Sequence, residues 1–141
     1  MSKPLFKLDN HLLYFDYILE YFDLFHPMFY VCRDDNDERF LVLRMDLCEK
    51  ESYLITEISL NDLNNMLLGN ITIRSAFLDR SSFYEVHCLT ENYSDDVVTK
   101  REISEFPIEY LPGKDYKYVL YDDEHREYQK RIAKELEKTN S

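Results

Sequence analysis

A chain of 141 residues that is 45% hydrophobic and 15% aromatic can fill one packed domain and is too aromatic for a disordered tail. Its 28 acidic against 17 basic side chains leave a net charge of −11. That balance disfavours direct nucleic-acid or anionic-membrane binding, because both depend on clustered Lys and Arg.

The acid is not a tail, since residues 1–121 alone carry 22 acids against 12 bases. Such a body attracts a basic partner and can accelerate their encounter by roughly 10 to 1000-fold at low salt. It also serves plain solubility, and composition alone does not separate the two. Three cysteines (Cys32, Cys48, Cys88), an odd number without CxxC spacing, fit reduced thiols in a cytosol. No signal-peptide pattern opens the chain, and Asp16, Glu20 and Asp23 interrupt the apolar run that starts at Leu12, which argues against a membrane span.

In chain order, residues 1–10 read as a lead-in. From Leu12 to Phe22 two patterns overlap. Leu12, Phe15, Ile18, Leu19 and Phe22 fit a helical stripe, while Tyr17, Leu19 and Tyr21 alternate as a strand would. His26 before Pro27 breaks either pattern. Residues 28–32, 39–45 and 52–58 read as three strands, the first two joined by the acidic turn that starts Asp34-Asp35-Asn36-Asp37. Phe40-Leu41-Val42-Leu43 is apolar throughout, which predicts a strand covered on both faces at the centre of the core.

Ser59 as N-cap, Asp62 in the first turn and Gly69 at the stop bracket a helix whose buried face is Leu60, Leu63, Met66 and Leu67. Thr72 caps a second short helix reaching Leu78. Phe83 to Leu89 alternates as a strand, residues 91–96 form an acidic turn, and Val97 to Ile103 returns beside that strand. Pro112-Gly113 marks a turn, and Tyr116 to Tyr121 reads as a last short strand. A helix over about 122–138 closes the chain, with a thin stripe of Tyr128, Ile132, Ala133 and Leu136 that either docks lightly or faces another chain. The sum is an α+β domain, its antiparallel sheet centred on residues 28–58, with helices packed on it.

The stretches Phe40-Leu41-Val42-Leu43-Arg44-Met45-Asp46 and Tyr53-Leu54-Ile55-Thr56-Glu57-Ile58-Ser59 resemble a bacterial family of unknown function. So do Ile71-Thr72-Ile73-Arg74-Ser75-Ala76-Phe77-Leu78 and Phe83-Tyr84-Glu85-Val86. The resemblance spans residues 18–112 and includes the acidic-aromatic opening Leu19-Glu20-Tyr21-Phe22-Asp23. After Asp23 the chain has Leu24-Phe25-His26-Pro27, where members often have Gly-Pro. The family opening looks extended, which tips Tyr17 to Phe22 toward strand. It implies no activity, and so no functional residue.

Chemistry-bearing motifs are few. With only Gly69 and Gly113, no phosphate-cradling loop can form, so P-loop and dinucleotide-binding readings fail. Asp34, Asn36 and Glu38 alternate like calcium ligands, but Arg39 stands at the sixth position and Met45 at the twelfth. That makes 34–38 a solvated turn. The four His and three Cys lack zinc spacing, and adjacent His87 and Cys88 on a strand point to opposite faces. No cofactor is expected. What remains is tyrosine among acid, the composition of a protein-binding surface. The candidate partner-binding residues are Asp34, Asp35, Asp37, Glu38, Glu91, Tyr93, Asp95, Asp96, Tyr116 and Tyr121, facing a basic protein. The alternative is a small enzyme or ligand-binding domain with a pocket around Cys32, His87 and Cys88. A plain accessory domain is a third reading.

Overall fold

Alternating apolar side chains in the first hundred residues build one seven-stranded meander, in which every strand lies beside its neighbours in sequence. The computed structural model describes residues 4–21, 27–45, 51–90, 92–120 and 122–140. The strands are β1 (Phe6–Leu8), β2 (His11–Tyr21), β3 (Pro27–Arg33), β4 (Arg39–Met45), β5 (Glu51–Ile58), β6 (Ser82–Cys88) and β7 (Val97–Glu102). Helices α1 (Leu60–Leu67) and α2 (Ile73–Leu78) separate β5 from β6, and α3 (Asp123–Asn140) closes the chain. The chain forms two compact units, Met1–Glu57 with Arg80–Phe106 and Ile58–Asp79 with Pro107–Ser141. No helix among the described residues is long and apolar enough to cross a membrane.

In the first unit, one face of the sheet gathers Phe6, Leu8, Leu13, Tyr30, Cys32, Phe40, Val42, Tyr53, Ile55 and Val86 into a single core. Alternate residues of the same strands (Val31, Leu41, Leu43, Leu54) are also buried, so β3 to β5 have no solvent face, as the apolar run of β4 predicts. The sheet curls on itself: Phe6 of β1 packs edge-on against Tyr53 of β5 at 5.0 Å, and Tyr84 of β6 donates to Asp9 beyond β1 at 2.9 Å.

The sheet is larger than the sequence implied. Residues 1–10 are not a lead-in, because Phe6 and Leu8 form a strand with both side chains in the core. The two patterns over Leu12 to Tyr21 resolve as strand, while Phe22 and His26 lie outside the described residues. Register shifts between Phe15 and Tyr17 and between Ile18 and Glu20 reset the alternation. A bulged strand departs from strict period two, which is why it mimicked a helical stripe.

The second unit holds the three helices. Ser59 Oγ accepts the Asp62 N–H at 3.1 Å and Thr72 Oγ1 accepts that of Ser75 at 3.0 Å, the two expected caps. Gly69, at φ +76°, ends α1 in a Schellman turn: its N–H reaches Met66 O and that of Asn70 reaches Asn65 O. The stripe of α3 is docked, with Tyr128 and Ile132 buried and Gln129 Nε2 donating to Asn64 Oδ1 of α1 at 2.9 Å. Residues 116–120 form no strand, contrary to the pattern. Tyr118 is buried there among irregular backbone, and the N–H of Tyr116 closes a turn onto Gly113 O.

Candidate functional site

The meander gathers many of the acidic residues of the first unit at two opposite ends of the sheet. Strands β3 and β4 meet at Asp34–Glu38, and β5 returns so that Glu57 lies at that same end. β6 runs the other way, so Glu51, Cys88, Thr90, Asp95 and Asp96 gather at the far end, with Glu51 paired to Cys88. Six steps along β4 separate the two ends by roughly 20 Å. The predicted surface is therefore two clusters. Tyr116 is a residue of the other unit and half-exposed. Glu91 and Tyr121 lie outside the described residues, and of Tyr93 only the backbone, in a 3₁₀ turn over Tyr93–Asp95, is described.

At the hairpin end, Asp34 is not solvated as the sequence suggested; it is only 4% exposed and organises the turn. Its Oδ1 accepts the N–H groups of Asn36 at 2.9 Å and Glu38 at 3.0 Å, and its Oδ2 meets His11 Nδ1 at 2.7 Å. Asp37 takes the left-handed conformation at φ 62°, which Asp tolerates better than most side chains. Asp35, Asp37, Glu38 and Glu57 are exposed. Glu38 holds its proton more tightly than an ordinary carboxyl, first through desolvation and then through the negative charges of Glu57 and Asp34. His11, Asp34 and Glu38 bring one donor atom each within 4.8 Å and could hold a metal ion. Asp34 Oδ1 is engaged by two backbone N–H groups and Oδ2 by His11. Sequence spacing could not reveal this group, because His11 comes from a different strand.

The far end contains a cavity of about 190 Å³. Strand alternation builds its floor: Glu51 and Tyr53 are two apart on β5 and share a face, and Glu51 pairs with Cys88 on β6. The β6–β7 register pairs His87 with Val97, and one further step sets Asp96 beside Cys88. Carboxylate, thiol and carboxylate thus form a row from β5 across β6 to the residue before β7. Tyr30 and Tyr53 supply ring walls 6.5 Å apart, and Pro4, Leu5 and Phe6 give an apolar lip. Tyr53 donates its hydroxyl to Glu51 Oε2 at 3.1 Å, and the Cys88 thiol bonds to the Asp96 carboxylate. Asp96 Oδ2 is buried without any hydrogen-bond partner.

Burial raises Cys88, Asp96, Tyr30 and Tyr53 here. The Cys88 thiol is pushed up to about 12 by burial, then by the charge of Asp96, the hydrogen bond to it, and Glu51. The Asp96 carboxyl is raised, first by burial and then by Asp95 and Glu51, against the opposing pull of the Cys88 bond. Burial likewise raises the Tyr30 phenol well above its ordinary range.

The alternative pocket around Cys32, His87 and Cys88 is therefore only partly assembled. Cys88 lines the cavity. Cys32 is fully buried in the core, its thiol raised by burial and by Asp16, and is no nucleophile at neutral pH. His87 points to the other face, as its adjacency to Cys88 predicts. There His87 Nδ1 meets Ser52 Oγ at 2.7 Å and Nε2 lies 3.7 Å from Glu85 Oε2. Those residue types invite a catalytic-triad reading, but Ser52 is 1% exposed and Glu85 is held closer by Arg101, at 3.0 Å. A cross-strand polar cluster accounts for them. Sequence reading picked Cys88 and Asp96 but missed Glu51, Tyr53 and Tyr30; the signal was Glu51-x-Tyr53 on a strand, an acid and a ring on one face.

No protein-family model, no curated protein and no solved structure matches this chain.

Proposed function

We propose that this chain is a non-enzymatic acidic interaction protein that binds and masks a basic or nucleic-acid-handling protein partner, in the manner of an immunity protein, antitoxin or inhibitor. The observation that carries the reading is the hairpin end. Asp35, Asp37 and Glu38 stand exposed there on a turn pinned by Asp34, with Glu57 of β5 beside them; desolvation first, and then the charges of Glu57 and Asp34, raise the Glu38 carboxyl. A cation from a partner offsets the negative charge gathered there. Rigid presentation also lowers the ordering cost of association. The net charge of −11 adds long-range steering toward a basic surface.

The test is capture of partners from a host lysate on immobilised wild-type protein and on an Asp35→Lys, Asp37→Lys, Glu38→Lys variant. The reading expects a stoichiometric basic protein on the wild type, absent from the variant, and released progressively by salt. Recovery of no basic protein, or equal recovery on both forms, overturns it. A second reading, a small-ligand-binding domain, is favoured by the cavity at the other end of the sheet.

A further inference from the structure

We propose that the cavity between Glu51 and Asp96 is a binding site for an alkylammonium group, its charge between the two carboxylates and its hydrocarbon stem against the apolar lip. This deepens the ligand-binding reading and is independent of the hairpin end. The polar side chains lining the cavity are two carboxylates, one thiol and hydroxyls, with no Lys, Arg or His among the described residues. A neutral ligand gains little from such a lining, and an anion is repelled.

An organic cation meets three complementary features. Asp96 Oδ2, buried with no partner, is an acceptor that already bears the cost of desolvation and receives nothing for it. Tyr30 and Tyr53 line the cavity, and aromatic walls attract an ammonium by cation–π interaction. Pro4, Leu5 and Phe6 replace the water that a bare metal ion would keep, which favours a cation with an apolar stem over Ca²⁺ or Mg²⁺. A volume of about 190 Å³ suits a chain of a few carbons rather than a drug-sized ligand, for which pockets run to roughly 300–1,000 Å³. Free amines and the lysine side chain present the same chemistry.

The experiment is an amide-resolved NMR titration with n-butylammonium chloride at fixed ionic strength, with butan-1-ol as the uncharged match. Butylammonium is expected to shift the amides of Leu5, Phe6, Cys88 and Thr90 saturably, and to bind at least about tenfold more tightly than butanol. Glu51→Gln and Asp96→Asn should each weaken it about tenfold, with the sheet amides otherwise in place to show that both variants fold. Affinity should rise with pH as Asp96, which faces Cys88, Glu51 and Asp95, loses its proton. A parallel titration with Nα-acetyl-lysine methylamide assigns the source: binding of both probes indicates a pocket open to a lysine side chain, binding of butylammonium alone a free-amine site. Absence of saturable binding, equal affinity for butanol, no loss in either variant, or shifts confined to residues 35–38 overturns the proposal. Each of these outcomes leaves the hairpin reading standing.

Discussion

Replacing Asp34 by Ala is expected to destabilise the protein by about 3 kcal/mol. The carboxylate accepts two backbone N–H groups and faces His11, three contacts of which each charge-assisted bond contributes about 1.5–3 kcal/mol in a buried setting. The lower end applies here, because Asn36 and Glu38 are exposed and water can re-solvate their N–H groups once the carboxylate is gone. Asp34→Asn keeps an oxygen for the two N–H groups and changes only the side facing His11, so it should cost about 1 kcal/mol. Crossing both substitutions with His11→Ala isolates the His11 contact as the non-additive part. With no tryptophan in the chain, urea unfolding followed by circular dichroism is the assay. An Asp34→Ala variant within about 0.5 kcal/mol of wild type would mean the turn is a solvated loop, the range of ordinary surface substitutions.

Three further outcomes follow from burial and charge. Leu41→Asn puts an unpaired amide at a fully buried position of β4 and should cost about 4 kcal/mol, lowering the urea midpoint by about 2 M, whereas Val119→Asn at an exposed site should leave it unmoved. Cys88, with its thiol pushed up to about 12, should react with iodoacetamide at pH 8 roughly 100-fold more slowly in the folded protein than in urea; peptide mapping separates it from the other cysteines, and equal rates would contradict the buried environment. Because the folded-state value of Asp96 lies above its unfolded value, its ionisation destabilises the fold as pH rises through that range. Asp96→Asn should accordingly raise the melting temperature at neutral pH, with the gain shrinking as pH falls toward about 4 and lost below it, where the wild-type carboxyl is protonated in both states. A uniform effect across pH would show that the carboxylate carries no such strain.

Much of the fold was legible because its signals are local. The unbroken apolar run Phe40–Leu43 gave a doubly covered strand, and Ser59, Thr72 and Gly69 gave both helix starts and the stop of α1. Failures came where the signal was non-local. β1 is three residues long, too short for any period to show, and is recognisable as strand only from its pairing with β2. The bulges in β2 scrambled an alternation that would otherwise have been clear. Tyr116 to Tyr121 alternates like a strand, yet residues 116–120 form none and the pattern coincides with the burial of Tyr118.

The site was legible residue by residue but not as an arrangement. Acid and tyrosine were visible in composition. Their division between two ends of the sheet depends on strand direction, which no single stretch encodes. The cavity needed Glu51 from β5, Cys88 from β6 and Asp96 from the turn before β7, and the hairpin cluster needed His11 from β2.

The central claim is that exposed carboxylates on the pinned hairpin recognise a basic protein. Its most direct test is the dissociation constant of the captured partner measured across a salt series, for wild type and for the Asp35→Lys, Asp37→Lys, Glu38→Lys variant. The account predicts that wild-type affinity falls steadily as salt rises and that the variant binds at least about 100-fold more weakly at low salt, with the two curves converging at high salt. A wild-type affinity indifferent to salt, or a variant that binds as well as wild type, would contradict it.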